Sequence, residues 1–201
     1  MVGLGNPGLR YERTRHNAGF MAIDELAARA GAAGRVEQDA WLAETTLAGE
    51  PALLVKPQSF MNLSGGPVAR LLAEANASPA DLVVIVDDVA LPLGRLRVRP
   101  AGSDGGHNGL VSLITSLGTD AFARIRIGVG QELTRPERAA ERDCEAPSSG
   151  FMDLADFVLG DFQPEEVERL REVIGLAADA ALSLIEEGAD VAMNRFNGRS
   201  A

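Results

Sequence analysis

Apolar residues along this chain change their spacing repeatedly, and each change marks a new element. Residues 1–4 read as the stub of a strand, and AGFMAIDELAARAG then sets Phe20, Ile23, Leu26 and Ala27 on one face of a helix. WLAETTLA and PALLVKP, separated by Gly49-Glu50-Pro51, read as a strand pair. The second leads into QSFMNLSGGPVARLLAEAN, a loop followed by a helix from about Gly66 to Asn76. LVVIV, residues 82–86, is apolar without a break, as a strand covered on both faces must be, and it ends on Asp87-Asp88. GRLRVRP alternates as a strand does, GSDGGHNG opens the helix LVSLITSLG, and FARIRIGVG gives another strand. A last long helix runs from about Pro164 to Glu187, with Val167, Leu170, Ile174, Ala177, Ala181 and Ile185 on a common face. The polar, Pro-containing stretch 131–150 is predicted to be a flexible loop. Strands alternate with helices, without internal repeat or clear linker, so residues 1–201 are predicted to form a single α/β domain.

Composition narrows the setting. A chain of 201 residues can bury a core without staples, and its lone Cys144 excludes an internal disulfide. Cys144 reads as a bystander thiol in a reducing compartment. No run reaches the roughly 18 apolar residues of a membrane span, and the start has neither the basic head nor the apolar run of a signal peptide. A cytoplasmic protein without a membrane partner is expected. The formal net charge of −10 argues against nucleic acid, whose affinity comes largely from Lys and Arg on phosphates. Distribution qualifies the sum: Lys56 is the single lysine, and Arg95, Arg97 and Arg99 alternate so that a strand would project all three from one face. They form either a solvated edge or a strip that grips phosphate.

The chemistry concentrates near the start. GLGNPG, residues 3–8, fits the glycine pattern of a dinucleotide site, with Asp24 at the distance of a ribose-binding acid. However, LRYERTRHN after it has no apolar period, and Asp24 falls inside the first helix. The competing reading is a strand ending in a turn, with glycines supplying positive φ. Four polar clusters follow predicted strands, where open α/β sheets carry their sites: Asn6, Asn62, Asp87 and His107-Asn108. His16 is the candidate general base, since imidazole titrates near neutral pH, and Asp87 the carboxylate to orient it. Asp87-Asp88 also reads as a plain turn after a strand. A serine or cysteine nucleophile has no elbow motif, and two histidines with one cysteine show no zinc spacing. What remains is hydrolysis by an activated water, with asparagine amides holding carbonyl and water. Such a set suits an ester, whose alkoxide leaves more readily than an amine.

GLGNPG, Tyr11, TRHNAGF, KPQSFMNLSG, VIVDD, GGHNGL, FARIRIGVG and DFVLGDF, in this order, resemble the bacterial-type peptidyl-tRNA hydrolases over essentially the whole chain. These enzymes free peptides from prematurely released peptidyl-tRNA. The resemblance implies a single α/β domain with a twisted mixed sheet flanked by helices, a monomer that needs no metal or other cofactor, and peptidyl-tRNA as partner. It also implies His16 as the base, Asp87 as its orienter and Asn6 in the catalytic set. Asn62 and Asn108 would bind the peptide and the water, and Tyr11 and Met61 would line the cleft. The family's basic tRNA contacts fall on Arg97, Arg99 and Arg126. Three departures stand out: Ala90 replaces an acidic residue, Asp104 occupies a variable loop position, and the first strand is shorter than the family's, which makes the start look truncated. The rival classes are a non-catalytic RNA-binding relative of the same fold, as in an organellar intron-splicing factor, and a dinucleotide-dependent enzyme.

Overall fold

A computed structural model describes residues 1–130 and 154–198. The loop expected at 131–150, with Cys144, lies outside the described residues. Among the described residues, seven strands form one sheet: β1 (Val2–Gly3), β2 (Arg35–Glu37), β3 (Ala40–Leu47), β4 (Glu50–Pro57), β5 (Val83–Pro92), β6 (Leu96–Arg99) and β7 (Ala123–Gly130). Their order is β2-β3-β4-β1-β5-β7-β6. The central strands β4, β1, β5 and β7 are parallel, and the outer pairs β2–β3, β3–β4 and β6–β7 are antiparallel.

Helices α1 (Ala18–Ala30), α5 (Val167–Glu187) and α6 (Ala189–Phe196) pack Ile23, Leu26, Val173, Ala177 and Phe196 in one core with Ile85, Ile125 and Ile127. Helices α2 (Gly65–Glu74) and α3 (Asn108–Leu117) pack Val68, Leu71, Leu110 and Leu113 in a second core with Val84 and Val86. Successive residues of LVVIV therefore feed different cores, which is why the run has no polar face. A short helix, α4 (Leu154–Val158), completes the set.

Several expectations shift. The strand does not end with the apolar run at Val86: β5 continues to Pro92, because Asp87 and Asp88 still pair with Ile127 and Gly128 of β7, and the register shifts only after Asp88. The turn reading of the two aspartates is thereby overturned. In α5 the buried residues begin at Val173; Val167, directly after the 3-10 turn Pro164–Glu166, is exposed. The glycine reading also changes. Within GLGNPG only Gly8 has a positive φ, of 104°. Gly3 and Gly5 are demanded by packing: a Cβ on Gly3 would stand 2.2 Å from the Gly19 carbonyl oxygen, and one on Gly5 2.7 Å from the Phe20 ring. A Cβ on Gly19 would in turn lie 2.4 Å from the Ile85 carbonyl oxygen. The start of α1 thus lies almost backbone to backbone on β1 and β5, and the turn before it is held at the carboxyl ends of those strands.

Candidate active site

That turn, a single 3-10 turn over Arg15–Asn17, carries His16. Its Nδ1 lies 3.0 Å from both Oδ1 and Oδ2 of Asp87, with both residues buried. A carboxylate can only accept, so the His16 proton sits on Nδ1 and Nε2 keeps a lone pair. A second imidazole reaches the same carboxylate: His107 Nε2 is 3.0 Å from Asp87 Oδ1. His107 is also the N-cap of α3, its Nδ1 accepting from the N–H groups of Gly109 and Leu110 at 3.2 and 3.4 Å. The His107 proton is therefore on Nε2, and it is donated to Asp87. The two rings are tilted by 51° with centroids 4.9 Å apart.

Burial alone would disfavour an ionised Asp87. The opposing influences, His107 by charge and hydrogen bond and then His16 in the same two ways, outweigh it and hold the carboxyl far below the usual carboxylate range. The ligand-type atoms of His16, Asp87 and His107 lie within 4.8 Å of one another, close enough for a metal. The helix cap argues otherwise, because it keeps a proton on the His107 nitrogen that would have to ligate.

Asn6 follows β1 and is fixed on three sides. Its N–H donates to Asn17 Oδ1 at 2.8 Å, its carbonyl accepts from Asn17 Nδ2 at 3.0 Å, and its Oδ1 accepts from the Met61 N–H at 2.8 Å. Asn17 thus stands in for a neighbouring strand where β1 ends. With Oδ1 engaged, Asn6 offers the cleft a donor, Nδ2. Asn62, beside Met61 in the 3-10 turn Met61–Leu63, Asn108 in the first turn of α3, and Tyr11 add to the polar lining of a cleft of about 650 Å³. Phe60, Met61, Leu154, Val158 and Leu159 give it an apolar wall. Arg15 fastens that wall. Its guanidinium lies 4.7 and 4.8 Å from the rings of Phe157 and Phe162, and its Nη2 donates to Glu166 at 2.8 Å.

The arginines divide by burial. Arg97 and Arg99 are exposed on the edge strand β6, opposite Arg126 and Arg124 of β7. Arg124 is fully buried and donates to the carbonyls of Gly102, Ser103 and Asp120. Arg126 lines the cleft, 3.4 Å from Asp88 Oδ2 and bonded at 3.0 Å to the carbonyls of Ser103 and Asp104. The two buried-side arginines therefore hold the glycine loop that presents His107 and Asn108. Arg95 precedes the strand and donates to the Gly198 carbonyl. Asp24 is ion-paired with Lys56 on the flank of α1, and the chain after Gly8 runs through turns to Arg15, a geometry unlike a dinucleotide fold.

Residue type and spacing give Asn17, Arg15 and Arg124 no role and present His107 only as a companion of Asn108. A signal for His107 was present, since it stands just before a helix start in a chain with two histidines.

The peptidyl-tRNA hydrolase family model matches residues 1–201. The chain is 44% identical to a peptidyl-tRNA hydrolase of Alkaliphilus oremlandii over 98% of both chains. It is also 44% identical to one of Chloroflexus aurantiacus, over 98% of this chain and 97% of that one. Among solved structures, the peptidyl-tRNA hydrolase of Acinetobacter baumannii superposes with a TM-score of 0.83 at 28% identity, covering 99% of this chain and 94% of the other.

Proposed function

The chain belongs to the peptidyl-tRNA hydrolase family, and on that premise we propose that its His16–Asp87 pair activates the water that cleaves the ester between peptide and tRNA. The activity is ester hydrolysis of peptidyl-tRNA, and the single observation that carries the assignment of the base is the buried pairing of His16 with both oxygens of Asp87. With Nδ1–H directed at Asp87, Nε2 takes a proton from water as the water oxygen attacks the ester carbonyl carbon. Asn6 Nδ2 donates to the carbonyl oxygen as it gains charge, and Asn108 and Asn62 hold water and peptide. Collapse of the tetrahedral intermediate breaks the bond to the ribose oxygen, and His16 returns the proton to that oxygen. The products are the free peptide and tRNA.

The exposed Arg97 and Arg99, with Arg126 behind them, lie on the strand pair flanking the cleft and would draw in the tRNA phosphates against a net charge of −10. Tyr11 and Met61 line the path of the peptide. The chain works as a cytoplasmic monomer without metal or other cofactor. No described helix is long and apolar enough to cross a membrane. The test uses N-acetyl-aminoacyl-tRNA. The protein is expected to hydrolyse it in the presence of a chelator and to spare aminoacyl-tRNA with a free amine. Activity that needs added metal would contradict the mechanism.

A further inference from the structure

Asp87 accepts from two imidazoles, and the hydrolysis just described uses only one of them. His107 is the second, half-buried, 3.0 Å from the carboxylate and tied through its other nitrogen to the first turn of α3. We propose that His107 is a positioning residue: it holds one oxygen of Asp87 and shares its negative charge, and so limits how much of that charge reaches His16. This rests on His16 being the base.

The cap does the selecting. With Nδ1 committed to two backbone N–H groups, the ring can present only a donor to Asp87, and neither a half-turn of the ring nor the other tautomer satisfies both sides. Oδ1 is then shared between His107 and His16, whereas Oδ2 faces His16 alone. The remaining titratable groups lining the cleft are Tyr11, Asp88 and Arg126, and the last two are paired with each other. Arg15, next to His16 in the chain, is paired with Glu166, and Asp104 of the glycine loop accepts from the Gly106 N–H. The nearby charges thus have partners of their own, and the imidazole pair is what divides Asp87.

Two substitutions separate the two ends of the ring. His107→Asn keeps a side-chain oxygen where Nδ1 caps the helix and removes the donor to Asp87. His107→Gln reaches Asp87 with an amide N–H and gives up the cap. The pH dependence of kcat/KM on N-acetyl-aminoacyl-tRNA is the readout, with thermal melting followed in parallel. His107→Asn is expected to melt with the wild type while the acid limb moves up by about one pH unit, because Asp87 then directs its whole charge at His16. His107→Gln is expected to keep the wild-type limb and to melt lower. An acid limb that stays put in His107→Asn, or that moves equally in both variants, overturns the proposal. So does 15N NMR of the wild-type protein showing the His107 proton on Nδ1. Failure of the underlying reading is separate: it would appear as substantial turnover in His16→Ala, whatever the two His107 variants do.

Discussion

Asp87 is buried and yet held ionised, and this should be visible in stability as well as in rate. Its folded carboxyl titrates below the ordinary value of about 3.9, so its contribution is complete above about pH 4 and is lost as pH falls below that. Denaturant titrations between pH 5 and pH 2 are expected to show a steeper loss of stability in the wild type than in Asp87→Asn. Asn17 makes a second case. Its amide satisfies both backbone groups of Asn6, so Asn17→Ala would strand a buried N–H and a buried carbonyl, at a cost of about 2–4 kcal/mol, and loosen the donor that Asn6 offers the substrate. Urea unfolding and kcat should fall together. His16, Asp87 and Asn6 stood out in the sequence by side-chain type, and the structure brings them to one cleft. The work of Asn17 and of His107 was not legible there, since it depends on which atom of an amide or an imidazole faces which neighbour, and composition and spacing do not carry orientation.

The seating of α1 on β1 and β5 depends on the absence of a side chain at residue 19. Gly19→Ala would put a methyl against the backbone oxygens of Ile85 and Leu4, at 2.4 and 2.5 Å, where no rotamer change can relieve it. A loss of about 1–3 kcal/mol in urea unfolding is expected, with a larger fall in activity than in tRNA affinity, because the displaced turn is the one that carries His16. The strands and long helices were legible where apolar spacing is regular, as in α1, β3 and β4. Other features were not: β2 and α6 have no counterpart in the spacing, and β5, α4 and the turn at GLGNPG each hide for a physical reason. β5 was cut short because its continuation is polar, and only the pairing with β7 reveals it as strand. α4 is too short to show a period, and it is held by Arg15 between two phenylalanines rather than by an apolar stripe of its own. The glycines of GLGNPG were read as turn formers because a sequence does not show how closely two backbones approach.

A molecule of net charge −10 that works on tRNA must separate its charges, and the proposed reading assigns that part to the exposed arginines of β6. Arg97→Ala with Arg99→Ala is expected to raise KM, leave kcat nearly unchanged, and reduce the slope of log KM against log salt by about one for each phosphate that the arginines no longer neutralise. Equal salt dependence in the double variant and the wild type would move the tRNA-binding face elsewhere on the surface. The acidic total was legible and misleading by itself, while the alternation of GRLRVRP pointed to the face that the edge strand exposes. The most direct test of the account is single-turnover hydrolysis of N-acetyl-aminoacyl-tRNA by wild type and His16→Ala, with tRNA affinity measured alongside. Loss of turnover on the order of 10²–10⁴ with affinity retained is the expected result. Turnover in His16→Ala within a few-fold of the wild type would contradict it, because the buried pair with Asp87 would then not be the source of the activated water.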